Sequence, residues 1–204
     1  MLFPTRRPPE RGFTLIELLV VIALVAVMAA LAAPSFRDFI VRRKLESVTS
    51  EFQSDIMRAR TTAMNKNICV TMCMSSNAGN TNPTCATLGD DWQPGWIIFL
   101  NPACSATTTV VPADPADPPA PSPRINLIGA RVGTNTSIFL NDISNVRRFT
   151  FNPRGVSGLS GAAEFDSVYV STGNPLTEKY AKNVCVDALS RTRTIPSGKE
   201  CKDY

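Results

Sequence analysis

The hydrophobic pattern changes period twice along the chain. Sixteen uninterrupted apolar residues run from Leu18 to Ala33. With Phe13–Ile16 ahead of them they make about 21 residues, which at ~1.5 Å rise each span a ~30 Å hydrocarbon core. Beyond Pro34, apolar residues recur at spacings of three and four: Val41, Leu45, Val48, Phe52, Ile56, Ala59 and Ala63. Arg42, Arg43, Lys44, Glu46, Glu51 and Asp55 occupy the other face, the pattern of an amphipathic helix. One long helix over 13–65 is therefore predicted, with a kink or loosening at Pro34, which removes a backbone donor and crowds the preceding turn.

From Ile68 the period becomes two. Strands are predicted over 68–74, 95–100, 125–128, 137–140, 147–151, 167–171 and 183–187, with a last one over 191–195. Turn-rich stretches over 75–82, 152–161 and 172–175 separate them. Residues 112–123 hold six prolines in twelve positions, which makes them an extended solvated loop: a tolerated insertion or a ligand for a partner. A striped helix followed by short alternating strands is α+β, with the helix lying across an antiparallel sheet.

Composition narrows this picture. The 204 residues allow one membrane-length helix and one domain large enough for its own core. Of the formal +4 charge, Arg6, Arg7, Glu10 and Arg11 supply +2, so little net charge remains and any basic surface must be local. Arginines ahead of the apolar run orient the N-terminus toward the cytoplasm and the C-terminal domain outside. Six cysteines without a single histidine suit an oxidising compartment and disulfides better than a zinc site or a thiolate catalyst.

Spacing alone leaves the fifteen pairings of six cysteines open. If strands 68–74 and 95–100 are antiparallel neighbours, Cys73 lies at the loop end near Cys85. Cys69 then lies at the far end beside Cys104, which leaves Cys185 with Cys201. Nothing looks catalytic. Gly155, Gly158 and Gly161 follow Phe-Asn-Pro-Arg and read as a turn, and Glu164 and Asp166 lack the surroundings of an acid/base pair. No enzyme activity, cofactor or metal is expected.

The junction before the apolar run is the most specific signal. A secretory signal is removed after its apolar run, at small residues. Here the polar–apolar junction precedes the run, at Gly12/Phe13, so the apolar segment would survive processing. The string Gly12-Phe13-Thr14-Leu15-Ile16-Glu17 before an apolar helix resembles the class III signal of type IV pilins and type II secretion pseudopilins. That resemblance implies cleavage after Gly12 by a prepilin peptidase and N-methylation of Phe13. It also implies that Glu17 pairs with the amino terminus of a neighbouring subunit, relieving the desolvation of both charges. Without it, the segment would be a plain single-span anchor with Glu17 reaching to the interface.

Downstream, ARTTAMNKNICVTMC, WQPGWIIF and RRFTFNPRG resemble the soluble domain of GspH/FimT minor pilins. The chain is then organised as a cleaved leader (1–12), a transmembrane and filament-core helix (13–36), an amphipathic helix (37–67) and a periplasmic β-rich domain (68–204). The resemblance implies a single-pass protein of the bacterial inner membrane, assembled with other pilins or pseudopilins through its N-terminal helix.

In FimT minor pilins a C-terminal G-R-x-R motif is associated with DNA binding. Arg191 and Arg193 match it, while Ser190 stands in place of the glycine. The two arginines are expected on one face of an extended segment, in a loop fenced by Cys185 and Cys201, with Lys199 and Lys202 nearby. Such a cluster could grip the phosphates of double-stranded DNA. The competing reading, which the sequence favours, is a charged edge strand that resists unwanted pairing. Three functions compete on this sequence: a minor pilin, a pilus-borne DNA receptor, and pseudopilin H of a type II secretion system without DNA binding.

Overall fold

The computed structural model describes residues 12–89, 92–113, 126–133, 139–142, 146–159, 161–166, 181–196, 199 and 201. The strand expected over 167–171 lies outside them, as do Lys202 and most of the proline-rich segment.

Helix α1 spans Leu15–Lys66 and is helical through Pro34. Thr14 begins it. Its Oγ1 accepts the Glu17 amide at 3.3 Å and its carbonyl accepts the Leu18 amide at 3.2 Å, so two backbone donors of the first turn are satisfied. Asn67 ends it in a left-handed conformation (φ 53), a common way to stop a helix without glycine. The chain divides into two compact units, one ending at Val41 and one starting at Arg42.

In the first unit, Leu15–Ala33 has a mean hydropathy of 2.9 and is long and apolar enough to cross a membrane. All its side chains are exposed. Phe36 and Phe39 beyond it are exposed too.

In the second unit, Leu45, Phe52, Ile56, Ala59 and Ala63 form the buried stripe of α1, and Val48 is partly buried against the same core. The strands are β1 Val70–Met74, β2 Gly95–Leu100, β3 Leu127–Val132 and β4 Phe139–Asp142. They continue with β5 Arg148–Phe151, β6 Gly161–Asp166, β7 Lys182–Val186 and β8 Thr192–Pro196. They form two four-stranded sheets, in the orders β3-β2-β1-β5 and β4-β6-β7-β8, with every pairing antiparallel. The single sheet anticipated from the pattern is thus two. Val184 and Val186 of the second sheet share the helix-facing core with Val70, Met72 and Ile98 of the first.

At the centre of that core Phe52 meets Trp92 and Trp96 edge-on, with ring centroids 5.2 and 5.4 Å away. Trp96 Nε1 donates to Asp55 at 2.7 Å, so the indole is buried without losing its hydrogen bond. Arg131 lies over the same ring, 4.4 Å from its centroid, and meets Glu51 at 2.7 Å. β1 and β2 are buried on both faces. Their second face, with Cys73, Ile97 and Phe99, is covered by Ala78, Cys85 and Val111 from the following loops.

Disulfides Cys73–Cys85 and Cys69–Cys104 tie those loops down, and Cys185–Cys201 ties the C-terminal segment to β7. Asn126 Nδ2 donates to the Pro112 carbonyl at 2.8 Å, pinning together the two ends of the proline-rich segment.

Candidate functional site

Two places carry the residues singled out by sequence. The first is the start of α1. Gly12 and Phe13 precede the helix in exposed chain outside any regular element, and Phe13 is 85% exposed. Glu17 occupies the third position of the first turn, where a carboxylate is favoured by the positive end of the helix dipole. Thr14 and Glu17 have the spacing of a capping box, and the Thr14 half of it is made. The Thr-x-x-Glu signal was present in the sequence. The bond uses the Glu17 backbone amide, so what the Glu17 side chain adds locally is its charge at the start of the helix.

The second place is the β7–β8 hairpin. Its turn closes with the Ser190 amide donating to the Asp187 carbonyl at 2.8 Å and the Asp187 amide donating to the Arg191 carbonyl at 3.1 Å. Asp187 accepts the Arg191 backbone amide at 2.8 Å and Arg191 Nε at 2.6 Å. The Arg191 amide foremost, with the guanidinium adding to it, holds the Asp187 carboxyl below its ordinary value of 3.8. Arg191 therefore folds back on its own turn.

Arg193 lies in β8, an edge strand among the described residues, opposite Cys185 and within the segment that Cys185–Cys201 closes, as the pattern over 191–195 predicts. Thr194 and Val184 form the next pair, and Thr194 Oγ1 accepts Gln53 Nε2 from α1 at 2.8 Å. Alternation therefore puts Arg193 on the sheet face away from the helix. The Lys199 carbonyl is bonded there by Asn183 Nδ2 at 3.2 Å, two residues along β7 from Cys185, with the Lys199 side chain exposed. The structure thus brings Arg193 and Lys199 toward one face and turns Arg191 onto Asp187.

Ser190 explains the missing glycine. It is fully buried in the left-handed conformation, φ 64, that glycine would adopt freely. Its hydroxyl accepts the Ser157 amide at 2.8 Å and its carbonyl accepts Arg60 Nη1 at 3.4 Å. Arg60 also lies across Gly155. A Cβ there would stand 3.1 Å from Arg60 Nε and 2.8 Å from the Met64 sulfur, and the φ of +74 is itself one that glycine favours. Nothing in local spacing marks Arg60, because its partners are far away in the chain.

Among the described residues no group of histidine, cysteine, aspartate or glutamate could hold a metal ion.

A membrane-length helix that starts at a Gly-Phe junction, caps itself with Thr14 and continues into an α+β domain is the build of a type IV pilin-like subunit. Residues 48–190 match the family described as "Type II transport protein GspH", and residues 7–33 match the "Prokaryotic N-terminal methylation motif". The chain belongs to the GspH family.

It is 43% identical over 42 residues to the "Type IV major fimbrial protein FimA" of Dichelobacter nodosus, covering 21% of this chain and 27% of that protein. It is 40% identical over 42 residues to a "Fimbrial protein" of Pseudomonas aeruginosa, with the same shares covered. The chain thus spans about a quarter of the length of these curated relatives. A crystal structure of the Pseudomonas aeruginosa type IV minor pilin FimU superposes with a TM-score of 0.49 at 15% identity, covering 79% of this chain and 95% of that one.

Proposed function

We propose that this chain is a minor subunit of a type IV pilus, cleaved after Gly12 by a prepilin peptidase and N-methylated on Phe13. The carrying observation is that α1 starts three residues beyond Gly12, with Glu17 in its first turn and the apolar run directly after it. The matched methylation motif supports the same processing. The apolar segment stays with the mature chain and holds it in the inner membrane, with the domain from Arg42 onward in the periplasm, where its disulfides can form. Assembly transfers that helix from lipid to the helices of neighbouring pilins. Glu17 meets a neighbour's α-amine there. The role is structural rather than catalytic.

On this reading the subunit also binds double-stranded DNA weakly, through Arg191 and Arg193 with Lys199 and Lys202, using phosphate contacts that salt disrupts. Anisotropy of a labelled duplex with the mature chain in neutral nanodiscs tests this. Arg191→Gln/Arg193→Gln should lower affinity and flatten the log–log salt slope by about 0.9 for each phosphate no longer neutralised. Lys44→Gln, far along the chain on an exposed face of α1, is the control for general charge.

The family description favours a second reading, in which the chain is the pseudopilin H of a type II secretion system and binds no DNA. The presence of the protein in sheared pili separates the two machines. A chain found only with the secretion complex belongs to the second.

A further inference from the structure

The geometry points to Arg154 as a phosphate contact beside Arg191, on the turn that Arg60 joins to the β7–β8 hairpin. The inference rests on the DNA-binding reading and extends it to a residue outside the C-terminal motif. Three ties bring the two turns together. Ser157 N–H donates to Ser190 Oγ at 2.8 Å, Gly158 N–H donates to the Ala188 carbonyl at 3.3 Å, and Arg60 Nη1 donates to the Ser190 carbonyl at 3.4 Å. Arg60 runs between Gly155 and Ser190, the chain neighbours of Arg154 and Arg191.

The turn that carries Arg154 is rigid. Asn152 Oδ1 accepts the amides of Arg154 and Val156 at 2.9 and 3.2 Å, and the Gly155 amide donates to the Asn152 carbonyl at 2.8 Å. Arg154 itself is exposed, and no described acid meets its guanidinium. Arg60, Arg154 and Arg191 therefore share one corner, where Asp187 is the acid in contact and is occupied by Arg191. Arg60 Nε is buried with no acceptor among the described residues. Exposed Leu159 and Leu189 flank the same two turns.

Cations fixed together by backbone bonds and bordered by apolar side chains produce a positive potential that an anion relieves. A polyanion with phosphates at regular spacing is the ligand that would engage Arg154 on one turn and Arg191 on the turn tied to it. Nucleic-acid backbone is the ligand chemistry that fits, and the contact carries no base readout.

Anisotropy of a labelled mixed-sequence duplex, titrated with salt against the mature chain in phosphatidylcholine nanodiscs, tests the inference. Arg154→Gln should weaken binding several-fold at low salt and reduce the log–log slope by about 0.9, one phosphate contact. Arg154→Lys keeps the charge and should restore most of the slope. Lys44→Gln should leave the slope nearly unchanged. If Arg191→Gln weakens binding while Arg154→Gln matches the unmodified chain or Lys44→Gln, Arg154 is no contact and this inference fails alone. If the unmodified chain binds no DNA at the lowest salt, the DNA reading fails and takes this inference with it.

Discussion

The hydroxyl of Ser190, a residue held at φ 64, accepts the Ser157 backbone amide at 2.8 Å. That bond offsets the strain of a left-handed serine and fixes the hairpin that presents Arg191. Ser190→Ala leaves a part-buried donor without its partner and should cost about 1–3 kcal/mol. Ser190→Gly loses the same bond but also the backbone strain, roughly 1–2 kcal/mol, so it should be the milder change. Urea unfolding followed by the fluorescence of buried Trp92 and Trp96 checks the order. Equal losses would mean that the left-handed backbone at residue 190 carries no strain for glycine to relieve.

The same hairpin should respond to acid. The Asp187 carboxyl titrates below its ordinary value of 3.8 because the Arg191 amide and guanidinium favour the charged form. A group depressed in the folded state stabilises above its unfolded pKa, and that stabilisation is lost as pH falls through the folded value. Asp187→Asn should therefore be less stable than the unmodified chain at neutral pH and indistinguishable from it in strong acid. A difference that grows on acidification would contradict the assignment.

Non-reducing peptide mapping should recover Cys69–Cys104, Cys73–Cys85 and Cys185–Cys201. Removing the last pair with Cys185→Ser/Cys201→Ser opens a 16-residue separation and should cost about 3 kcal/mol, acting mainly through the unfolded chain. Free thiols throughout the domain from Arg42 onward would overturn both the pairing and the proposed compartment.

Glu17→Val removes a carboxylate from the membrane-length helix. It should be cleaved and inserted normally, yet enter sheared filaments poorly, because on the proposed pairing a neighbour's α-amine is left alone at a cost on the order of 3–5 kcal/mol. Normal incorporation would leave Glu17 with only its place in the first turn of α1.

Much of the fold was legible because it rests on short-range periodicity. The stripe Leu45–Phe52–Ile56–Ala59–Ala63 is the buried face of α1, and β2 begins at Gly95 and ends at Leu100, as expected from its short run of strand-forming residues. The cysteine arrangement followed from the β1–β2 pairing, which sets Cys73 at one end and Cys69 at the other. β6 was missed because Gly161-Ala162-Ala163 has weak strand propensity and adjoins a turn-rich stretch. It is a strand through its pairing with β4 and β7.

The corner built from Arg60, Gly155 and Ser190 was not legible. Its contact joins residues 130 positions apart, and no local pattern encodes it. The fate of Arg191 was half legible. Asp187 stands four residues before it, but a turn had to form before the two could meet.

The N-terminus of the mature protein tests the central claim most directly. Mass spectrometry of the membrane-extracted chain should find it beginning at N-methyl-Phe13, with Met1–Gly12 gone. Gly12→Val should leave the full precursor, because the bond to be cut then follows a branched side chain. Assembled protein that still carries residues 1–11 would contradict the account.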